Sequence, residues 1–320
     1  MNFSDILSDY TPYRELTESL DNTPVSVAGI TETAQGHIIS TLRNRENTNA
    51  LVITYSETEA RALTEDLRLY FDCVFHFPER DNILYNIETT DRSRSNTRMS
   101  ILSHLVSEGK AIVIISVNAL MQYCAAKDRF KEFNRMLKKG ECYDISELSK
   151  ILNVMGYVSE DMVEGVGQYS IRGEILDIFS PNYDNPVRID FFDNEIETIR
   201  LFDPLTQRSV ESLDEVSIIS ANEAIMPNDV QVNIIKKLSK ELSKVKSENF
   251  KSAIESDIES FKERYYFPSI DRYAKEIYGY IPNILDYFSD KDLVFVCDPK
   301  RIFERMKRLE EEWGEAVTGL

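Results

Sequence analysis

The sequence predicts an α/β protein in which a parallel sheet covered by helices is interrupted by a small α+β domain carrying an antiparallel meander. Three observations predict it. Residues 50–55 (ALVITY), 73–77 (CVFHF) and 111–116 (AIVIIS) are short continuous apolar runs separated by amphipathic helical stretches at 56–70 and 96–108, the pattern of parallel strands buried on both faces. Residues 167–209 instead alternate apolar and polar side chains between turn-forming clusters, as half-buried antiparallel strands do. A further apolar run, 292–298 (DLVFVCD), comes late in the chain and is expected to rejoin the parallel sheet.

Taken in order, residues 12–20 read as a short helix. Residues 25–30 (VSVAGI) read as a brief apolar strand leading through Gly29 into a helix around 37–42. Strand, glycine turn and helix is the order in which a P-loop holds phosphate. Counting from Gly29 in G-x-x-x-x-G-K-[ST], however, the second glycine is Ala34, the lysine is Gln35 and the Ser/Thr is Gly36. Without the lysine the phosphate charge goes unmatched, and without the hydroxyl a magnesium ligand is lost. The expectation is a degenerate, non-catalytic P-loop. Residues 127–139 are basic and amphipathic, and 145–152 begin the excursion into the inserted domain, with Gly156, Gly165 and Gly167 at its entrance. After 216–220 the chain is expected to return to the first domain. Apolar residues at helical spacing from 229 to 263 read as core or as an antiparallel helical arm. The domains are accordingly expected at 1–125, 126–213 and 214–320, the last completing the first.

Hydrophobic residues make up 42% of 320, and no apolar run approaches the roughly 18 residues of a membrane span. With no basic-then-apolar leader at its start, the chain is expected to stay in the cytoplasm, away from membranes, as a monomer. Cys73, Cys124, Cys142 and Cys297 lie far apart and away from the three histidines, which favours reduced, buried thiols over zinc. A net charge of −18 repels phosphate backbones, so nucleic acid would need a local basic patch. Arg92, Arg94 and Arg98 are the candidate, with a solvated loop as the favoured alternative. Carboxylate pairs such as Asp190 with Asp193 read as a solvated face, not as an acid and a base.

Within 167–209, Tyr169 and Ile171 oppose Ser170 and Arg172; the phase changes after Gly173, as a β-bulge would cause, so that Leu176 and Ile178 oppose Asp177. Val187, Ile189 and Phe191 form one face of the next strand and Arg188, Asp190 and Phe192 the other. Asp193-Asn194 turns the chain into a third strand, ended by Asp203-Pro204. Phe192 falls where alternation predicts a polar residue. An aromatic beside an arginine suits a protein-binding hot spot, and packing against a neighbouring helix explains it equally well.

The runs from Tyr169 to Phe179, from Pro186 to Phe192 and from Asp193 to Asp203 closely resemble the second domain shared by the excision-repair protein UvrB and the bacterial transcription-repair coupling factors. The close at Thr206-Gln207-Arg208-Ser209 is similar to the coupling factors alone. The first part of the chain resembles the helicase-like first domain of both, without enough residues between Pro78 and Ala111 for UvrB's DNA-clamping hairpin. At the end of the last strand, where UvrB has its acidic magnesium motif, stands Asp298-Pro299-Lys300-Arg301. The resemblance implies a module that recruits the ATPase UvrA in transcription-coupled nucleotide excision repair, with Arg172, Arg188 and Phe192 as its contacts. It implies no catalytic residue and no cofactor here: ATP, magnesium, DNA and RNA polymerase would be engaged by C-terminal parts, which the ending 315–320 reads as having been cut away. Phe192→Ala and Arg188→Glu are both expected to weaken binding while leaving thermal unfolding nearly unchanged. The rival reading, a UvrB-like ATP-dependent helicase or damage clamp, would have to operate despite Gln35, Gly36 and Pro299.

Overall fold

The computed structural model describes residues 10–20, 24–80, 93–107, 109–245, 247–263, 267 and 270–318. The order opens with α1 (Thr11–Glu18), α2 (Glu32–Glu46), β1 (Ala50–Thr54), α3 (Glu57–Arg68), β2 (Val74–Phe77), α4 (Ser93–Val106), β3 (Ile112–Ser116) and α5 (Val117–Leu120). Local chemistry sets several of these boundaries. The Ser56 hydroxyl accepts from the Glu59 amide and starts α3, Ser116 does the same for α5, and Asn47 closes α2 in the left-handed conformation. Then come α6 (Lys127–Phe133), β4 (Arg135–Lys138), α7 (Ile145–Val154), β5 (Val158–Ser159), β6 (Gln168–Arg172), β7 (Ile175–Ile178), β8 (Val187–Phe192), β9 (Glu195–Phe202), β10 (Ser209–Leu213) and β11 (Glu215–Ile218). The remainder holds α8 (Asn228–Leu242), α9 (Glu248–Glu263), α10 (Ala274–Tyr278), β12 (Leu293–Val296) and α11 (Pro299–Thr318).

Two compact units result. The first draws on 1–79, 107–122 and 288–320. Its four-stranded sheet runs β12-β1-β3-β2, parallel throughout, with Val52 opposite both Phe295 and Ile114. The late strand therefore joins the early ones, as the sequence predicts. β1 and β3 are buried along their whole length, and Ile39, Leu63 and Leu67 from α2 and α3 pack on one face against Val52, Ile114 and Phe295. The strand expected at 25–30 does not form: these residues are mostly exposed, without strand pairing among the described residues. β1 and β3 already have neighbours on both sides, so only an edge is open, and a segment that leaves Val27 exposed gains too little burial to hold it.

The second unit draws on 80–106 and 123–287. Its six-stranded sheet is ordered β10-β9-β8-β7-β6-β5, antiparallel except for the parallel pair β5–β6. The expected bulge near Gly173 is instead a hairpin: Arg172 pairs with Ile175, and Gly173 takes φ of 62° in the two-residue turn between them. A positive φ at the first turn position suits glycine and reverses the chain, which accounts for the phase change. Leu148 and Leu152 of α7 cover the apolar face of this sheet, while α8 and α9 pack through Ile234, Leu238, Ile258 and Phe261 around a separate core. β4 and β11 form an antiparallel pair at the chain's entry to and exit from the sheet.

At the base of this unit lies a buried charge network that the sequence did not suggest. Arg98 is 0% exposed; its Nε reaches Glu223 Oε1 at 2.5 Å, and Nη2 reaches Glu223 Oε2 at 3.0 Å and the Tyr123 carbonyl at 2.9 Å. Arg80 bonds Glu223 at 3.4 Å, pairs with Asp271 and stacks over the Tyr123 ring, whose hydroxyl donates to Asp271. Arg98 is thus neither in a solvated loop nor part of a basic patch, because α4 buries it against a carboxylate; Arg92 lies outside the described residues.

The cysteines are all free. Cys124 and Cys297 are buried as expected, whereas Cys142 is exposed and Cys73 half-buried. No helix among the described residues is long and apolar enough to cross a membrane.

Candidate protein-interaction face

Pleating sorts the second unit's sheet into two surfaces. Tyr169, Leu176, Ile178, Val187, Ile189, Phe191, Ile196 and Ile199 point into the core. The opposite face carries Arg172 from β6, Asp177 from β7, Arg188, Asp190 and Phe192 from β8, and Thr198 and Arg200 from β9. The register places Asp177, Arg188 and Arg200 in one row across three strands, and Ile175, Asp190 and Thr198 in the next.

Asp177 organises the first row. Its side chain is only 2% exposed, and Oδ1 accepts from Arg188 Nε at 2.7 Å while Oδ2 accepts from Arg188 Nη2 at 2.8 Å and Arg172 Nη2 at 2.5 Å. Arg188 also donates to Gln207 Oε1 at 2.8 Å and lies 4.3 Å over the Phe202 ring. The hydrogen bonds to Asp177 hold the Arg188 guanidinium charged, raising its pKa above the ordinary arginine value. Asp190 serves the neighbouring row, accepting from Arg200 Nη2 at 2.7 Å and from the Thr198 hydroxyl.

The three residues expected from the sequence therefore differ in setting. Arg172 is 46% exposed and spends one donor on Asp177; Arg188, 17% exposed, spends both Nε and Nη2 on side-chain acceptors. Phe192 is 70% exposed, so it does not pack against a helix. It lies about 13 Å along β8 from Arg188, past a register shift between Asp190 and Phe191. The hairpin tip beside it is braced, with Tyr143 N donating to Asn194 O at 2.7 Å and Ile196 N to Glu141 O at 2.9 Å. Asp177 thus brings Arg172 and Arg188 together, and Phe192 stands apart on the same surface. The sequence sets Asp177 and Asp190 opposite the apolar residues of their strands but gives them no part in the site, and it does not single out Arg200. Cross-strand register was the signal that could have found them, since it sets Asp177 opposite Arg188 and Arg188 opposite Arg200.

The residues compared with a P-loop lie in the first unit. Gly29 has φ of 79°, and Ala34, Gln35 and Gly36 are in the first turns of α2. Gly36 packs toward α3, where a Cβ would meet Asp66 Cβ at an ordinary 3.5 Å. Asp298 also has a positive φ, 52°, and accepts from the Arg301 amide at 3.4 Å as α11 begins, while the Arg301 guanidinium lies 3.7 Å over the Tyr55 ring. The Glu59 carboxyl is pushed up by burial; its bond from the Tyr55 amide and the Arg301 charge act the other way, and the charges of Glu32 and Asp298 add to the rise.

Residues 136–223 match the family model of the UvrB interaction domain. The chain is 30% identical to the transcription-repair-coupling factor of Staphylococcus haemolyticus (strain JCSC1435), a match covering 98% of this chain and 28% of that protein. It is 28% identical to that of Bacillus subtilis (strain 168), over 92% of this chain and 26% of that protein, and 30% identical to that of Staphylococcus aureus (strain bovine RF122 / ET3-1), over 96% and 26%. The chain thus spans 26–28% of the length of these relatives. Along nearly its whole length the chain is thus similar to one part of the transcription-repair-coupling factors, and residues 136–223 carry a UvrB interaction domain.

Proposed function

We propose that this chain is a protein-interaction module that recruits UvrA in transcription-coupled nucleotide excision repair, and that it docks UvrA on the polar face of the six-stranded sheet. The observation that carries the reading is a 70% exposed Phe192, beside a braced hairpin tip, on the same surface as the guanidiniums of Arg172, Arg188 and Arg200. An exposed ring can fill a pocket on the partner, and guanidinium donors left over can meet its carboxylates. The inserted sheet and its surround, residues 126–213, are the UvrA-binding domain in this reading. The first unit is its scaffold, a P-loop that no longer binds nucleotide. Gln35 and Gly36 stand where a lysine and a hydroxyl are needed. ATP hydrolysis with magnesium, DNA translocation and RNA polymerase contact belong, in this reading, to the rest of the parent protein.

The test is a pull-down of the 320-residue chain against purified UvrA, with and without nucleotide, beside its Phe192→Ala variant. Capture by the unaltered chain and loss of more than about tenfold in the variant is the expected result. Equal capture of both removes the sheet face from the reading.

A further inference from the structure

The sheet face raises a question that the identity of its partner leaves open, namely what holds two guanidiniums side by side. Arg172 and Arg188 carry like charges from strands separated by β7, and long arginine side chains in solvent would move apart. Asp177 lies on that intervening strand, 2% exposed, and bonds both. We infer that Asp177 is the positioning residue of this interface: a buried carboxylate that clamps Arg188 bidentately and tethers Arg172, leaving a net positive pair whose remaining donors face outward. The inference rests on the proposed docking of UvrA to this face, and it assigns a role to a residue that would not touch the partner.

The geometry gives the two arginines unequal parts. Two oxygens of Asp177, Gln207 and the Phe202 ring fix the Arg188 plane, so its contribution is largely preorganised shape and charge. Arg172 is tied through one nitrogen only and keeps Nε and Nη1 for a partner carboxylate. Without the Asp177 charge the fork on Arg188 loosens, Arg172 loses its tether, and association must order both side chains at the moment of contact. Asp177 and Arg172 therefore act on binding as one unit.

Asp177→Asn tests this, because it keeps the shape and one acceptor oxygen while removing the charge. The variant of the full 320-residue chain is expected to bind UvrA about tenfold more weakly, with Arg172→Ala costing clearly less in the Asp177→Asn background than in the unaltered chain. A natively folded variant, by its unfolding midpoint, that binds UvrA like the unaltered chain overturns the inference, and so does an Arg172→Ala penalty equal in both backgrounds. Side-chain resonances of the arginines, recorded on the unaltered protein without UvrA, provide a readout that survives a variant too unstable to assay. A sharp, exchange-protected Arg188 Nε–Hε signal and hindered rotation at Arg172 support the clamp, whereas free rotation at both overturns it. The two readings fail separately. Unchanged binding of Phe192→Ala removes the docking proposal, and the arginine resonances still decide the clamp.

Discussion

Asp177 accepts three hydrogen bonds from two arginines in a site almost closed to solvent, so substitutions around it do not separate binding from folding equally well. Arg188→Glu would set a second carboxylate against it. Breaking a buried pair by removing one partner costs about 3–5 kcal/mol, and Arg188, being partly exposed, is expected near the lower end. Its thermal midpoint should fall by many degrees, which replaces the sequence-based expectation that unfolding would hardly change. Phe192→Ala removes an exposed ring with little contact to lose, and its unfolding free energy should stay within about 0.5 kcal/mol of the unaltered chain. Paired melting curves of the two variants check both statements, and a Phe192→Ala chain that melted early would mean the ring is structural.

At the scale of elements, the join between α7 and the segment after β11 is tightly constrained. Gly156 ends α7 with φ of 83°, and a Cβ added there would lie 1.5 Å from the Asn222 side-chain nitrogen. Asn222 cannot easily move, since it is buried and its Oδ1 accepts from the Ala224 amide at 2.9 Å. Gly156→Ala is therefore expected to destabilise by more than the roughly 1 kcal/mol of an ordinary glycine substitution, visible as a lower denaturant midpoint with an unchanged slope. One residue beyond Asn222, Glu223 ties α4 to this same segment through Arg98. Glu223→Gln would take the carboxylate charge away from a fully buried guanidinium, at a cost of about 3–5 kcal/mol. Burial pushes the Glu223 carboxyl up, but Arg98 and Arg80 together hold it below the ordinary glutamate range. A lowered folded value means that the stabilisation is complete above the unfolded pKa of about 4.3 and is lost as pH falls through the folded one. Denaturant midpoints measured from about pH 6 downward should thus drop below about pH 4, and by less in Glu223→Gln.

For the whole molecule, the net charge of −18 and the proposed loss of the phosphate-binding residues lead to the same expectation about ligands. Calorimetry with Mg-ATP is expected to show no heat of binding, and duplex DNA at physiological salt is expected to bind only weakly. A micromolar nucleotide site with turnover would restore the enzymatic reading, and sub-micromolar, salt-sensitive DNA binding would contradict the second expectation.

The sequence by itself determined what is local or repeats with a short period. The apolar runs of β1, β2, β3 and β12 and the alternation of β6 through β9 are read from neighbours along the chain. Arg172, Arg188 and Phe192 are named through the family resemblance of their segment, and a strand's period agrees by putting Arg188 and Phe192 on one face. Tertiary structure alone decided what depends on partners distant in sequence. Arg98 looked like a surface charge until α4 placed it against Glu223, 125 residues later. Residues 25–30 read as a strand until both inner strands of the sheet proved to be paired on each side. Whether Arg188 is free or clamped turned on the cross-strand register, because burial and pairing are set by whichever side chain the fold brings opposite, and no property of an isolated arginine reports that.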